Sequence, residues 1–326
     1  MRINEPILEV KNLSTYFIYR DRTVKAVDDV SFRVNTGEIF AIAGESGAGK
    51  SVIALSILRL VPQPGKIMHG EILYRGQDLV KMNEAELRNI RGGRISMIFQ
   101  NPMTSLDPVF TIGEQKSAWG RAIEMLQMVN MPDAERRADA YPHELSGGMQ
   151  QRTMIAIGLS CAPDLIIADN PTTALDVTIQ MQFLSLCRQI RSELGTAFVY
   201  ITHDLGVVAK LCDRVAVMYA GRIVEEGETV QVLTKAAHPY TVGLIRAVPK
   251  LGDRRSRLVP IEGKQPDLSL LPPGCPFAPR CFMAKEVCRV TEVPARTTEE
   301  GHYARCLFGE KGMEMSTESY QEFGHV

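Results

Sequence analysis

The chain has 326 residues, 45% of them hydrophobic, enough for one large domain with a buried core and a smaller appendage. Lysine plus arginine (37) balance aspartate plus glutamate (38), so no global basic excess points to nucleic acid. The longest apolar runs, around 52–60 and 165–168, fall well short of the ~18 residues of a spanning helix, and the start MRINEPILEV lacks a charged-then-apolar leader, so a soluble α/β protein that stays in the cytoplasm is expected.

Residues 7–34 read as short strands of apolar or alternating character, ILEVKNL, STYFIY and KAVDDVSFRV, laid out as an antiparallel layer. NTG at 35–37 turns the chain into the next strand. Residues 39–55, IFAIAGESGAGKSVIAL, then break an apolar run with glycines, a lysine and a serine before a helix resumes. Gly44, Gly49, Lys50 and Ser51 satisfy G-x-x-x-x-G-K-S, the phosphate-binding loop. Glycines let successive N–H groups turn inward onto phosphate oxygens, and the helix that follows adds its positive end. Lys50 supplies a cation for the outer phosphates and Ser51 a hydroxyl for Mg²⁺. A glycine loop before an ordinary core helix is the blander reading, but all four fixed positions and both flanks match the nucleotide one. A bound adenine needs a π face, for which Phe17 is the candidate, with Tyr16 and Tyr19 beside it. The alternative for Phe17 is a core aromatic of its strand.

Pro62, Pro64 and Gly65 end the helix, GEILYRGQDL at 70–79 returns as a strand and turn, and EAELRNIR at 84–91 is a short charged helix. RISMIFQNP at 94–102 reads as a strand ending on Gln100, whose amide can bond a Mg²⁺-bound water; NPMTSLDP beyond it is turn-rich. Residues 112–140 have a helical pattern, with Ile123, Leu126, Met128 and Val129 spaced for one buried face. In PHELSGGMQQR, Ser146, Gly147 and Gly148 precede a helix carrying Met154, Ile157 and Cys161 on one side. Serine and bare glycines at a helix start form a second anion site, or more simply a helix cap. DLIIADN is an apolar strand ending in Asp169, a carboxylate suited to hold Mg²⁺ through water, and Asp176 sits in the following turn. AFVYIT leads to His203, which can touch a terminal phosphate, and RVAVMYA and RIVEEG complete a sheet by 228.

Cys161, Cys187 and Cys212 sit singly and read as ordinary buried residues. Cys275, Cys281, Cys288 and Cys306 instead crowd together as C-x₅-C-x₆-C-x₁₇-C among prolines. Disulfides are disfavoured in the cytoplasm, so these four read first as metal ligands. Zinc or an iron–sulfur cluster would fold a segment with few apolar residues; zinc sites usually show tight C-x₂-C pairs, which are absent here.

Gly44 to Ser51, Gln100, LSGGMQQR, LIIAD, TALD and His203 occur in this order in one chain. The set resembles the nucleotide-binding subunit of an ATP-binding-cassette (ABC) transporter over about the first 230 residues. QNPMTSLDP, YPHELSGGM, PTTALDVTIQ, HPYT at 238–241 and the tail motif GCPFAPRC narrow the resemblance to ATPase subunits of dipeptide and oligopeptide importers, to about residue 308.

That resemblance implies an α/β fold: a P-loop NTPase (RecA-like) core with an antiparallel β subdomain and a helical signature subdomain, about 101–162. It implies a nucleotide-binding domain at 1–233 and an extension at 234–326 holding the four-cysteine site and a polar tail. ATP would be bound by Phe17, Gly44, Glu45, Ser46, Gly47, Ala48, Gly49, Lys50, Ser51 and Val52, with Mg²⁺ at Ser51, Gln100 and Asp169. His203 and Gln100 would assist the chemistry, and Asp176 would mark the turn after the second strand motif. Ser146, Gly147, Gly148 and Gln150 would grip the ATP of a partner cassette. The implied partners are a related but distinct second ATPase, two membrane permease subunits and, through the complex, an extracytoplasmic peptide-binding protein, with no nucleic acid. The implied place is peripheral, at the cytoplasmic face of the membrane. The wider spacing and the tail's likeness to cluster-bearing importer subunits favour [4Fe–4S], as a structural clip, over zinc and over an unmetallated or disulfide form.

Two departures stand out. The family has glutamate as general base directly after the strand-end aspartate, and here that position is Asn170. An amide can bond water but cannot accept its proton, so this chain's own site is expected to bind ATP without efficient turnover, either as the degenerate half of an asymmetric pair or as a substitution that traps the ATP-bound state. The helical stretch after TIGEQ is also shorter than in the family. A soluble ABC ATPase of DNA repair or translation is the competing reading, but those relatives carry long insertions or a second cassette that this chain lacks.

Overall fold

The strands, in chain order, are β1 (Pro6–Ile18), β2 (Thr23–Asn35), β3 (Ile39–Ala43), β4 (Gly65–Tyr74), β5 (Gln77–Asp78), β6 (Ile95–Ile98), β7 (Leu165–Asp169), β8 (Ala197–Thr202), β9 (Arg214–Tyr219), β10 (Arg222–Glu228), β11 (Arg296–Glu299) and β12 (His302–Ala304). This computed structural model describes residues 6–100, 106–115, 119–172, 176–248, 260–299 and 301–322. Outside the described residues lie 101–105 of the turn-rich segment, 116–118 at the shortened helical stretch, and 173–175 of TALD. The chain divides into two compact units, one drawn mainly from 81–201 and the other from 8–33, 39–80 and the residues from 202 onward.

In the second of these, the phosphate-loop unit, β2-β1-β4-β5 form one sheet, with β1 antiparallel to β4 and Phe17 opposite Gly65. β1 runs through both short strands expected for 7–19. Asn12 takes a left-handed φ of 48° within a shift of register between Lys11 and Ser14, so the polar KN pair marks a bulge and not a strand end. In the same unit β11-β12-β10-β9-β3 are consecutive in a second sheet, β3 parallel to β9 and the remainder antiparallel. All five residues of β3, IFAIA, are buried, as a strand covered on both faces requires.

The expectation of a sheet complete at 228 is corrected here, because β12 and β11 of the tail extend it beyond β10. A buried carboxylate fixes the addition. Glu225, 1% exposed, accepts from the N–H groups of Ala237 (2.6 Å) and His238 (2.9 Å) and pairs with His302 Nε2 at 2.7 Å. A carboxylate so buried must be fully hydrogen-bonded to persist, and two segments of the extension supply its partners.

In the other unit β8-β7-β6 form a parallel run. The short charged helix forms at Glu84–Ile90 behind a capping box of Asn83 and Glu86. β6 stops at Ile98, two residues before the expected end at Gln100. The single helical pattern of 112–140 resolves into helices Trp119–Met128 and Ala134–Ala138. Left-handed Asn130 and Asp133 part them, on either side of Pro132. The face actually buried carries Ala122, Met125, Leu126 and Val129, while Ile123 and Met128 are half-buried. Arg152 of helix Gly147–Leu159 donates to the Val129 and Asn130 carbonyls (2.6 and 2.8 Å), closing the end of Trp119–Met128. Cys161 is exposed, contrary to expectation, because that helix ends at Leu159 and Cys161 lies in the turn beyond; Cys187 and Cys212 are buried as expected. No helix among the described residues is long and apolar enough to cross a membrane.

Candidate functional site

The phosphate loop leaves β3 and enters helix Lys50–Ile57. Its two fixed glycines are required by space as well as by dihedral angle. A Cβ on Gly44 (φ 148°) would lie 2.3 Å from the Met218 carbonyl oxygen, and one on Gly49 (φ 103°) would lie 2.0 Å from that of Ala26. No side chain caps the helix at Gly49, so its first N–H groups and positive end are left to the loop. Lys50, 6% exposed, donates from Nζ to the carbonyls of Gly44 (2.7 Å) and Glu45 (2.8 Å), holding the ammonium across the loop. Ser46 and Gly47 are exposed, Ala48 is buried, and Ser51 and Val52 are half-buried.

Phe17 is half-buried against Gly65, whose added Cβ would come 2.8 Å from the ring. Its neighbour Tyr16 is committed elsewhere: its hydroxyl donates to Asp28 at 2.5 Å. His203 is exposed in the turn between β8 and helix Leu205–Leu211, where Asp204 caps the Gly206 and Val207 N–H groups.

In the other unit, Gln100 is exposed just beyond β6. Asp169 ends β7 buried at 6% exposure, and its Oδ1 accepts from Asn170 Nδ2 at 2.9 Å. Asn170 has a left-handed φ of 47° and donates its own N–H to the Ile201 carbonyl at 2.9 Å. Asparagine adopts that conformation more readily than most residues. Ser146 caps helix Gly147–Leu159, its Oγ accepting from Met149 N–H. A Cβ on Gly147 would meet nothing within 4 Å, so the backbone there is open to approach, whereas one on Gly148 would press on Ile179 at 3.3 Å. Gln150 is buried and turns its amide to the Pro142 and Leu145 carbonyls (2.8 and 3.2 Å), so its side chain braces the loop instead of facing outward. Asp176 Oδ1 caps helix Val177–Leu194 by accepting from Ile179 N–H.

Cys275, Cys281, Cys288 and Cys306 all line one small, mostly apolar pocket with Phe277, Met283 and Phe308. Met283 and Phe308 N–H groups donate to the sulfurs of Cys281 and Cys306, both at 3.4 Å. Burial pushes the thiols of Cys281 and Cys306 up to about 11, so they stay protonated unless a cation draws the proton off. Among the described residues no three His, Cys, Asp or Glu side chains are gathered tightly enough to hold a bare metal ion.

Sequence reasoning missed what the extension does at the phosphate loop. Arg280, Gln265 and Tyr240 all hydrogen-bond Glu45 there. Tyr240 lies within HPYT and Arg280 within GCPFAPRC, whereas Gln265 lies between the two, and nothing local ties any of them to Glu45, some 200 residues away.

Residues 27–173 match the family model described as ABC transporter, and 224–288 match that of the oligopeptide/dipeptide transporter C-terminal region. The oligopeptide transport ATP-binding protein OppD of Haemophilus influenzae is 46% identical, the alignment covering 92% of this chain and 97% of that one. AppD of Bacillus subtilis, also an oligopeptide transport ATP-binding protein, is 47% identical over 95% and 99% of the two chains. Among solved structures, a dimeric post-hydrolysis state of the ATP-binding cassette MJ0796 with ADP and phosphate is 29% identical, covering 68% of this chain and 98% of that chain with a TM-score of 0.61. The glycine-built loop, the capped signature helix and these likenesses agree, and the chain belongs to the ABC transporter family, within its oligopeptide/dipeptide transporter branch.

Proposed function

We propose that this chain is the ATP-hydrolysing subunit that energises import of dipeptides or oligopeptides through a membrane permease. The observation that carries the ATP half is the phosphate loop, where both fixed glycines are enforced by carbonyls under 2.5 Å from any added Cβ. The peptide half is supported by the matched C-terminal region and by the transport named for the relatives. A soluble repair or translation ATPase is not favoured by either.

On this reading the nucleotide-binding domain spans 1–233, with a helical subdomain near 101–162, and the extension spans 234–326. The residues from Gly44 to Val52 bind ATP, Phe17 faces its base, and Ser51, Gln100 and Asp169 hold Mg²⁺. Mg²⁺ would neutralise charge on the phosphates; the residues fit it as hydroxyl, amide and carboxylate oxygens, the donors a hard cation takes. His203 touches the terminal phosphate, and Asn170 stands at the general-base position, where its amide impairs hydrolysis at this chain's own site. Ser146 and Gly147 serve the partner's ATP through an uncovered backbone. The partner is a related second cassette, the complex includes two permease subunits and an extracytoplasmic peptide-binding protein, and the chain works at the cytoplasmic face of the membrane.

The four cysteines are read as ligands of a [4Fe–4S] cluster. One zinc ion would need all four sulfurs ~2.3 Å from a single point. What supports the cluster is the wide spacing of the four cysteines, without the tight C-x₂-C pairs usual for zinc, together with their shared pocket and the N–H···S bonds to two of the sulfurs. The cluster would serve as a structural clip.

Reconstitution with the permease and second ATPase in vesicles tests the function. ATP-dependent peptide uptake that Lys50→Ala abolishes is expected. ATP turnover unaffected by permease and peptide, with no uptake, would overturn the reading.

A further inference from the structure

The extension does more at the phosphate loop than pack beside it. Glu45 is the second residue of that loop, and its carboxylate is taken by the Arg280 guanidinium in a two-point pair, Nη1 to Oε2 at 2.8 Å and Nη2 to Oε1 at 3.1 Å. Gln265 Nε2 adds a third bond at 3.1 Å, and the Glu45 N–H donates to the Tyr240 hydroxyl at 2.8 Å. Arg280 is itself fixed. Its Nε reaches the Glu262 carbonyl (2.9 Å), its remaining N–H groups reach the Tyr219 hydroxyl and the Ile261 carbonyl (both 3.3 Å), and its side chain is 6% exposed. The guanidinium also lies over the rings of Tyr219 and Phe277 at 5.8 and 5.9 Å. All five guanidinium N–H groups have acceptors in this arrangement.

The placement matters because of charge. A loop built to receive a polyphosphate carries a carboxylate at its second position, and an uncompensated negative charge there would repel the ligand. We propose that Arg280 is a positioning residue of the nucleotide site: the C-terminal extension neutralises Glu45 and, with Gln265 and Tyr240, holds the phosphate loop in its receiving shape. The inference rests on the loop's binding ATP, as read above. Burial alone would raise the Glu45 carboxyl, yet the bonds from Arg280 and Gln265 and the nearby charges of Arg280 and Lys50 hold it below the usual carboxylate range. Glu45 is therefore charged at neutral pH and needs its counter-ion.

The test uses the full chain and equilibrium binding of a fluorescent ATP analogue, at low and at moderate salt. Arg280→Ala is expected to weaken binding about tenfold, the scale for one poorly screened charge near a polyphosphate, and less at higher salt. Arg280→Lys should keep most of the affinity by keeping the charge. Glu45→Gln enters only as the second arm of a double-mutant cycle: combined with Arg280→Ala it should recover most of what Arg280→Ala alone loses. If Arg280→Ala does not fold, the same comparison is made with Arg280→Gln. Unchanged affinity on loss of Arg280, or a loss that Glu45→Gln does not relieve, would overturn the proposal, the second outcome reducing Arg280 to a packing role. Lys50→Ala separates the underlying reading, since unchanged binding in that variant would remove the loop itself from the nucleotide site.

Discussion

The phosphate loop and the C-terminal extension stand in one compact unit, yet they are specified in opposite ways. The loop is legible locally: eight consecutive residues set its turn, its lysine and its helix start, even though the carbonyls that exclude a Cβ on its glycines come from Met218 and Ala26. The extension is held by partners far away in sequence. Glu225 meets His302 across 77 residues, and Arg280 meets Glu45 across 235. A local device survives in a fragment of sequence and can be read there, whereas a long-range one exists only once the chain has folded.

The contrast is broken most forcefully at Glu225. Removing its carboxylate leaves two backbone N–H groups and the His302 ring buried without their partner. Glu225→Ala should destabilise the extension by ~3 kcal/mol. Faster limited proteolysis within residues 234–322, with the phosphate-loop segment still protected, is the expected pattern. Uniform loss of protection across both segments would mean that the two regions fold as one cooperative piece and differ only in the sequence distance of their contacts.

Lys50→Ala sharpens the same comparison from the local side. Its ammonium is bound to two loop carbonyls, so the loop loses both a brace and its phosphate cation. ATP affinity should fall roughly 100-fold, as expected for charge-assisted contacts to an anion, while the extension's resistance to protease stays unchanged. A parallel loosening of the extension would show that the loop supports the tail as much as the tail supports the loop.

The legibility of each region follows from this. The glycine, lysine and serine spacing, the apolar β3 and β7, and the Ser146 cap were readable because periodicity and spacing act over a few residues. The bulge at Asn12 was not, since a left-handed asparagine inside a strand looks like a turn until pairing with β4 carries the strand past it. The sheet's growth beyond β10 was hidden because β11 and β12 are only four and three residues long, and a buried Glu–His pair decides their place. The cysteine spacing drew attention to the sulfurs and carried no sign that Arg280, the residue before Cys281, reaches the phosphate loop.

A smaller effect is expected at the thiol pocket. Purified without oxygen, the protein should carry iron and sulfide and absorb in the visible range, and Cys281→Ser should remove that absorbance and loosen the extension by less than Glu225→Ala does. Stoichiometric zinc without iron would replace the cluster with a zinc ion on the same four cysteines. An extension equally stable with all four cysteines changed to serine would show that the Glu225 network alone suffices.

The smallest expected effect lies at Asn170, where a local motif is legible and yet altered. Its amide donates to Asp169 Oδ1 and its backbone is left-handed, so the side chain is held toward the carboxylate beside it. Asn170→Glu exchanges that donor for an anion, which Asp169 repels, turning the new carboxylate away from Asp169. If position 170 is that of the general base, a proton acceptor is restored there, and hydrolysis at this site should rise about tenfold, a modest share of the 10²–10⁴ that such a base commonly contributes. Glutamate tolerates the left-handed backbone less well than asparagine, so stability should fall by about 1 kcal/mol. Asn170→Gln separates the two effects, since it carries the same backbone strain without the carboxylate and should not accelerate turnover. The assay requires the partner cassette with its own catalytic site disabled, and single-turnover kinetics to isolate the chemical step. A hydrolytic step equally fast in parent, Asn170→Glu and Asn170→Gln would place the base elsewhere and remove Asn170 from the chemistry.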